Sequence, residues 1–486
     1  MRGGSTATST LALACAAQFI VLFDVSVITV ALPSMQRDLG FAPADLQWVV
    51  SAYALAFAGL LLLGGRLGDL YGHRRVFLIG LALFVVAGTA GGLAPTPALL
   101  IAARAAKGVG AAVLAPLALT MVTTTFPEGP RRTRALAVWT AVSLAGGASG
   151  NLFGGLLTEY LSWRSVLLIN VPIGIPLLLL GARLLTGRTA PARRPRLDLP
   201  GAVLATAGLT LVTLGIAQAR VHAWTDPATA LPLAGGVTAL AAFVAVEKWY
   251  AAQPLVPAGL LRLPGVGWGN VGMVLAGAGF HIPVWYFLTL TMQGVLHYSA
   301  ARTGLGFLPH TVVMLLVGLF LTPWLMRYVQ ARVLIACGAL VAAAGFLWQS
   351  GISPDSGYLD GILGPAVVIS FGGGLVSTPL TLTVTSGVGS AEAGAASGLV
   401  NTSRQFGGAF GLAVLLTLTA SGAPGPPAAL MEGYGNAFRG MALVLVALAA
   451  ITPLLPAHRH LTRRGQDAPA ADTEVRAAGE RQKSAK

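Results

Sequence analysis

Residues 11–33 read LALACAAQFIVLFDVSVITVALP, an apolar stretch whose single charged side chain is Asp24. A helix needs about 20 mostly apolar residues to cross the hydrocarbon layer of a membrane. This stretch is long enough, and it exceeds the apolar core of about 7–15 residues found in a cleavable signal peptide. We therefore interpret it as a permanent membrane-spanning helix.

The rest of the chain has the same character. Of the 486 residues, 55% are hydrophobic and 10% are charged, and the mean hydropathy is +0.75. Soluble domains contain about 25% charged residues, so this composition excludes a chain of soluble domains. Apolar runs without alternation exclude the short strands of a β-barrel and predict an all-α membrane protein. The fourteen predicted transmembrane helices are 11–33, 46–66, 76–95, 98–124, 134–158, 166–186, 199–218, 230–249, 268–292, 303–326, 333–350, 359–384, 394–420 and 437–456.

The net charge of +14 indicates topology rather than nucleic-acid binding. With both termini in the cytoplasm, cytoplasmic segments hold 23 of the 31 Lys and Arg residues, and the opposite loops hold five. The positive-inside rule favours this orientation, in a bacterial cytoplasmic (inner) membrane. No basic patch interleaved with aromatic residues indicates a nucleic-acid partner. The excess of Arg over Lys, 27 to 4, is typical of a GC-rich bacterium such as an actinomycete.

Two halves of the sequence can be superimposed on each other. Pro116 aligns with Pro379, and Gly146 aligns with Gly407, at offsets between 258 and 263 residues. A shared offset predicts two parallel six-helix repeats, which are typical of transporters with a substrate site between the halves. The predicted organisation is a cytoplasmic N-terminus (1–10), a first half (11–186), a linker with two inserted helices (187–265), a second half (266–456) and a disordered cytoplasmic tail (457–486).

Several motifs follow one another at the predicted helices. GRLGDLYGHRR (65–75) comes after the second helix, RAAKG (104–108) lies in the fourth, a glycine run (146–155) lies in the fifth, and SGLVNTSRQFGG (397–408) lies in the thirteenth. Together they resemble the major facilitator superfamily, in its fourteen-helix drug:proton antiporter branch. The resemblance covers nearly the whole chain. It implies alternating access between two halves, with protons as the coupling ion and no other cofactor.

Asp24 is the strongest candidate for proton coupling, because it is the only carboxylate deep in a predicted helix. An intramembrane charge costs about 3 kcal/mol on insertion scales and therefore indicates function. The resemblance gives the corresponding acid a role in proton coupling or drug recognition, and gives Arg104 the role of its coupling partner. The alternative is a purely structural ion pair between Asp24 and Arg104.

The chain departs from the family pattern at two positions, where Lys107 replaces the usual Gln and Asn151 replaces the usual Pro. Arg104 and Lys107 are three residues apart and share a helix face. The single carboxylate of Asp24 cannot neutralise both cations. We therefore expect a cavity that suits a neutral, weakly acidic or anionic antibiotic better than a lipophilic cation. Alternatively, Lys107 extends towards the membrane surface or loses its proton.

The substrate cavity is expected where the two halves meet. His281 either titrates there or is bonded within the bundle, and Trp285 and Tyr286 either line the cavity or belong to an interfacial aromatic belt. Arg404 either lines the cavity or is structural. The full set of predicted cavity residues is Lys107, Asn151, His281, Trp285, Tyr286, Asn401, Arg404 and Gln405.

Two further groups of residues have a role implied by the resemblance. The first is a cytoplasmic gate, although topology alone also explains its arginines Arg74 and Arg75. The second is a set of fifth-helix glycines associated with antiport, although small residues at this spacing also permit simple close packing of helices. The gate residues are Gly65, Arg66, Asp69, Gly72, Arg74 and Arg75, and the glycines are Gly146, Gly150, Gly154 and Gly155.

These features predict a secondary transporter, not an enzyme, that exports drugs or antibiotics in exchange for protons and acts as a monomer in the lipid bilayer. One alternative is a narrow-range exporter of a self-made antibiotic or metabolite, possibly anionic in its substrate. A remote alternative is an intramembrane hydrolase built on Ser149 with His281 or His310. The sequence contains no G-x-x-x-x-G-K-[ST] loop for ATP and no motif with metal-ligand spacing.

Overall fold

The computed structural model describes residues 2–126, 130–185, 198–219, 222–250, 254–255, 258–353, 356–386, 388, 392–419 and 427–457. Within these ranges it contains fourteen long helical rods, one short α-helix (Ala258–Leu261) and no strand. The segment 187–197 and the predicted tail beyond residue 457 lie outside the described residues. The rods are α1 (Arg2–Leu39), α2 (Trp48–Tyr71), α3 (His73–Gly92), α4 (Pro97–Thr125), α5 (Pro130–Tyr160), α6 (Trp163–Leu184), α7 (Leu199–Gln218), α8 (Pro227–Tyr250), α9 (Pro264–Val295), α10 (Ala300–Leu325), α11 (Ala331–Gln349), α12 (Leu359–Thr385), α13 (Ala393–Thr417) and α14 (Pro427–Ile451).

Each rod coincides with one predicted helix, so the all-helical multi-pass fold is confirmed. In the described part of the chain, twelve rods are long and apolar enough to cross a membrane. The other two are α2, which contributes a shorter apolar helix over Trp48–Leu61, and α13. The helix α13 is the more polar because it carries consecutive amide, hydroxyl and guanidinium side chains from Asn401 to Gln405. The crossing of all fourteen helices therefore stays a prediction.

The packing of the first six helices is repeated in the last six. In the first half α1 packs against α4, α5 and α6, and α4 also packs against α2 and α3. In the second half α9 packs against α12, α13 and α14, and α12 also packs against α10 and α11. The two sets of helices are thus built on one plan, as the sequence repeat predicts. The exact domain boundaries remain a prediction.

Glycines bring α5 into direct contact with the backbone of α1. A Cβ atom at Gly146 would lie 2.7 Å from the carbonyl oxygen of Phe19, and one at Gly150 would lie 2.8 Å from that of Phe23. Gly154, one turn further along, faces the backbone of α1 at Val27 in the same way. Because these contacts leave no room for a side chain, the four-residue glycine spacing sets the distance between the two helices.

The second half uses the same device. A Cβ atom at Gly407 of α13 would lie 2.7 Å from Cα of Val274 in α9, and one at Gly411 would lie 2.6 Å from Cα of Ala278. The glycines that align between the halves in sequence therefore perform the same packing role in both.

The inserted helices lie outside the two bundles. The helix α7 packs against α8 and also against α2 and α13, one helix from each half. A Cβ atom at Gly59 of α2 would lie 2.8 Å from Cα of Thr206 in α7, so this contact is close. The helix α8 packs mainly against α7, and its side chains Leu231 and Tyr250 are 70% and 82% exposed. Consequently α7 covers a seam between the halves, and α8 presents apolar residues outward.

Candidate functional site

Asp24 is buried inside the first half and accepts hydrogen bonds from three side chains. Arg104 Nη1 lies 2.7 Å from Asp24 Oδ2, Lys107 Nζ donates to Oδ1, and Asn170 Nδ2 lies 3.2 Å from Oδ1. The side chains of Asp24, Arg104 and Lys107 are at most 1% exposed. We call these four residues the Asp24 cluster. Since they belong to α1, α4 and α6, the cluster ties three helices together.

Aromatic rings and a backbone carbonyl complete the surroundings of the two cations. Arg104 Nε donates to the carbonyl oxygen of Val49 at 2.8 Å, and its guanidinium lies 4.5 Å from the ring centroid of Tyr53. Lys107 Nζ lies 4.7 Å from the ring centroid of Phe84. Aromatic faces attract cations, so these contacts offset part of the cost of burying two positive charges against one negative charge.

This geometry bears directly on the residues proposed for coupling and for the cavity. Asp24 contacts both Arg104 and Lys107, and Lys107 does not extend to the membrane surface. In this conformation Lys107 is buried among side chains of the first half. Three polar atoms around the cluster, Arg104 Nη2, Asn170 Oδ1 and Tyr53 Oη, have no hydrogen-bond partner in the described part of the chain. Buried polar groups of this kind are costly and are concentrated at functional sites.

In the second half α9 is interrupted near the position that corresponds to Asp24. Pro283 has no N–H group and cannot continue the hydrogen-bond ladder, and the helix breaks at His281, between Phe280 and Ile282. His281 Nε2 forms a hydrogen bond with Oε1 of Gln405 on α13. Interrupted helices near the membrane midplane are typical of transporter substrate sites.

The other aromatic residues predicted for the cavity lie next to this break. The ring of Trp285 meets the ring of His310 edge to face, with 4.8 Å between centroids, and is half-buried. His310 is buried and its Nδ1 lies 2.6 Å from Ser370 Oγ. Tyr286 is 1% exposed and lies in the core of the bundle. The structure therefore groups Trp285 and His310 where α9, α10 and α12 meet, whereas His281 contacts α13.

The remaining predicted cavity residues lie at two different places. Arg404 is exposed, and its Nη2 donates to Asn401 Oδ1 at 2.9 Å on the same helix. Asn151 is 3% exposed, and its Oδ1 accepts a hydrogen bond from Thr29 Oγ1 at 3.4 Å. Asn151 thus joins α5 to α1, at the position where the family usually has proline.

The predicted gate is only partly described. Gly72 connects α2 to α3 with a φ of 89°, a conformation that strongly favours glycine. Arg74 Nη2 donates to the carbonyl oxygen of Ala182 on α6 at 2.7 Å, and Arg75 is exposed. A Cβ atom at Gly65 would lie 3.6 Å from Cβ of Pro116 in α4. The side chains of Arg66 and Asp69 lie outside the described part of the structure.

A contact between the halves lies at the end of the bundle where α1 and α5 finish. We call this end of the bundle the Asp38 end, because Asp38 is the next-to-last residue of α1. Glu159 Oε2 of α5 accepts a hydrogen bond from the backbone N–H of Ala301 in α10 at 2.8 Å. One turn earlier, Gly155 faces the backbone of Ala300. Gln293 Nε2 of α9 donates to the carbonyl oxygen of Val30 of α1 at 2.8 Å. The halves are therefore joined at the Asp38 end in this conformation.

We expect Glu159→Gln to loosen this contact, because a carboxylate at a helix N-terminus interacts favourably with the unpaired N–H groups there. Glu159 is exposed, so the loss is about 0.5 kcal/mol, a roughly twofold change in the population of the open form. The measurement is the rate at which a membrane-impermeant maleimide labels Ser34→Cys, in a background without Cys15 and Cys337. Ser34 lines a cavity of about 410 Å³ beside Glu159. Glu432→Gln, at another exposed carboxylate, is the control. Equal labelling of all three proteins would contradict the role of Glu159.

Two residues of these contacts, Glu159 and Asn170, are not among the residues predicted from the sequence. Gly155, one turn before Glu159, does indicate a close approach by another helix. Asn170 is an amide inside an apolar run, which needs a buried partner. In both cases the partner lies on a helix distant in sequence, so no local pattern identifies it.

Comparison with known proteins decides the family. The profile described as Major Facilitator Superfamily matches residues 14–412. The chain belongs to the major facilitator superfamily. The family resemblance of the sequence motifs is thus confirmed, and this protein is a multi-pass membrane transporter.

Similar proteins include antibiotic export and resistance proteins from actinomycetes. The chain is 67% identical over 462 residues to the cephamycin export protein of Amycolatopsis lactamdurans, with 95% of each chain covered. It is 41% identical to the puromycin resistance protein of Streptomyces alboniger, over 87% of this chain and 82% of that protein. It is 34% identical to the tetracenomycin C resistance and export protein of Streptomyces glaucescens, over 83% and 74%.

A solved structure shows the same fold. The human organic anion transporter TETRAN superposes on 92% of this transporter and 99% of its own chain, with a TM-score of 0.58 and 15% sequence identity. At this identity the likeness concerns the fold alone. It supports the arrangement of helices in two bundles.

Proposed function

We propose that this transporter exports an antibiotic of the cephamycin type across the cytoplasmic membrane in exchange for protons. The observation that carries the proposal is the 67% identity to a cephamycin export protein over 95% of both chains. The relatives named for puromycin and tetracenomycin C are much less similar, at 41% and 34%. Because family members on one fold differ in substrate, the similarity favours a narrow range over general multidrug export.

The proposed coupling site is the Asp24 cluster. A proton that binds Asp24 removes the only negative charge in the cluster, and the attraction that holds α1 to Arg104 and Lys107 on α4 is lost. Because α1 also packs directly on α5, and α5 carries Gly155 and Glu159 at the contact with α10, a shift of α1 reaches the interface between the halves. In this proposal Asp24 carries the proton and Arg104 couples its charge to the movement.

Orientation assigns a direction to the observed conformation. With both termini in the cytoplasm, as the distribution of Lys and Arg predicts, the Asp38 end faces outward. The joined contact there then closes the outer side, so the conformation is one that receives substrate from the cytoplasm. Export follows when this contact opens and the opposite end closes.

The hydrolase alternative has no support in the geometry. Ser149 Oγ donates to the carbonyl oxygen of Gly146 at 3.2 Å, whereas His281 pairs with Gln405 and His310 pairs with Ser370. In the described residues no histidine contacts Ser149, so the activating base that a serine nucleophile needs is not in place.

The function is tested with inside-out membrane vesicles that contain the transporter and an imposed proton gradient, acid inside. We expect cefoxitin, a cephamycin, to accumulate in these vesicles without ATP, and a protonophore to stop the accumulation. Vesicles without the transporter are the control. Puromycin, supplied in a parallel experiment, distinguishes a narrow from a broad substrate range. Accumulation of both compounds would indicate a broad exporter. If cefoxitin does not accumulate above the control vesicles, the proposed function is wrong.

A further inference from the structure

Arg404 is a cation in the middle of a bundle helix that no described carboxylate neutralises. It lies near the centre of α13, and its side chain is exposed. Its only hydrogen-bond acceptor in the described structure is the neutral amide of Asn401. A charge at such a depth costs about 3 kcal/mol on insertion scales. It therefore needs a reason other than packing.

The two other intramembrane cations are neither exposed nor without an ionic partner. Arg104 and Lys107 are buried and both contact Asp24. Their positive charge is directed at a carboxylate of the protein, so neither is available to a substrate in this conformation. Arg404 is thus the intramembrane cation whose guanidinium is accessible and without an ionic partner in the part of the chain that the structure describes.

The side chain of Arg404 belongs to the polar face of α13. Asn401 lies three residues earlier on the same face, and Gly408 lies one turn later. A Cβ atom at Gly408 would lie 3.3 Å from the ring of His281, so this face continues onto the break in α9. Phe406 points about 160° away from Arg404 around the helix. The guanidinium therefore lies on the side of α13 that leads to the α9 break.

Hydrogen bonds hold this polar face in position. Asn401 Nδ2 donates to the carbonyl oxygen of Ser397 at 3.2 Å, which leaves its Oδ1 to receive Arg404. On the opposite side of the helix, about 160° around from Arg404, Thr402 Oγ1 donates to the carbonyl oxygen of Ala58 in α2, at 2.9 Å. The part of α13 that carries Arg404 is therefore in contact with the opposite half, at a level of the bundle where the two halves meet.

We propose that Arg404 binds a carboxylate of the transported antibiotic, and that Asn401 is a positioning residue that orients the guanidinium. This inference rests on the proposed function and adds the recognised chemical group, a carboxylate anion. The planar guanidinium matches a carboxylate with two parallel hydrogen bonds, and such charged hydrogen bonds are about twice as strong as neutral ones. A carboxylate-bearing β-lactam such as a cephamycin fits this requirement, whereas a lipophilic cation is repelled.

The test compares cefoxitin, which carries a carboxylate, with its uncharged methyl ester in the same vesicles. We expect Arg404→Gln to raise the half-saturating concentration of cefoxitin about 10- to 100-fold, since a charged hydrogen bond contributes about 1.5–3 kcal/mol. The half-saturating concentration of the methyl ester is expected to change less than threefold. Arg404→Lys keeps the positive charge but loses the planar guanidinium that makes two parallel hydrogen bonds. Its half-saturating concentration for cefoxitin is therefore expected to lie between those of the wild type and Arg404→Gln.

The matched control is Arg439→Gln on α14. Arg439 Nη1 donates to Asn436 Oδ1 at 3.1 Å, three residues away, so the pair repeats the local geometry of Arg404 and Asn401 at another place. This variant is expected to transport like the wild type. If Arg404→Gln does not reach the membrane, Asn401→Ala gives the same comparison, with an expected rise of about threefold to tenfold for cefoxitin alone.

The outcomes separate the two proposals. Wild-type vesicles that accumulate neither compound would refute the proposed function. Wild-type vesicles that accumulate cefoxitin, together with an Arg404→Gln variant that changes cefoxitin and ester equally or changes neither, would overturn only the role of Arg404. A loss confined to cefoxitin supports carboxylate recognition.

Discussion

Asp24→Asn is expected to abolish proton-driven export and to lower the free energy of unfolding by about 3–5 kcal/mol. The asparagine cannot exchange a proton, and it leaves the buried cations Arg104 and Lys107 without their common counter-ion. The measurements are cefoxitin accumulation in the vesicles and the thermal unfolding midpoint of the purified protein in detergent. Export that survives with its dependence on the proton gradient intact would show that Asp24 is not the coupling residue.

The double variant Asp24→Asn with Lys107→Gln separates coupling from stability. It restores the formal charge of the cluster to +1, because one anion and one cation are removed together. Most of the lost stability is therefore expected to return, while proton-driven export stays absent. If the double variant regains both stability and export, the Asp24 cluster is a structural ion pair, which is the alternative that the sequence left open.

Gly150→Ala is expected to destabilise the contact between α5 and α1. The new Cβ would lie 2.6 Å from Cβ of Ser26 and 2.8 Å from the carbonyl oxygen of Phe23, and both are held in α1. Overpacking of this kind costs about 1–3 kcal/mol, and the backbone contact leaves little room for relief. The measurement is the unfolding midpoint in detergent, together with the amount of protein recovered from the membrane.

Gly147→Ala in the same helix is the matched control. Its Cβ would meet only Ser26 Oγ, at 3.9 Å, which is ordinary contact. The gain in helix propensity from Gly to Ala, about 0.5–1 kcal/mol, is the same for both variants. Gly147→Ala is therefore expected to match or exceed the wild type in stability. Equal stability of the two variants would contradict the close packing of α1 and α5.

Much of the fold could be predicted because it depends on local properties. Apolar length predicts each helix, and the two-half plan follows from aligned positions such as Pro116 with Pro379. The glycine run of α5 also predicts close packing, because glycines at four-residue spacing give the helix one face without side chains. The partner of that face, α1, is not evident from the sequence, because any neighbouring helix would satisfy the pattern.

The site was less predictable, because it depends on which helices meet. The sequence predicts that Arg104 is the coupling partner of Asp24 and that Lys107 lines the substrate cavity. The structure places Lys107 against Asp24 and the ring of Phe84, inside the first half. Asn151 likewise lies between α1 and α5. A three-residue spacing fixes a shared helix face but leaves open which neighbour that face meets.

The sequence by itself determined an all-helical membrane transporter of two repeats, with four charged side chains inside the spans: Asp24, Arg104, Lys107 and Arg404. Apolar length and charge placement suffice for this, because the energy of membrane insertion depends mainly on composition. Only the tertiary structure decided that Asp24 engages Arg104 and Lys107 together and that Arg404 stays accessible. The physical reason is that a charge acts over a few ångströms, and those distances are set by how the helices pack.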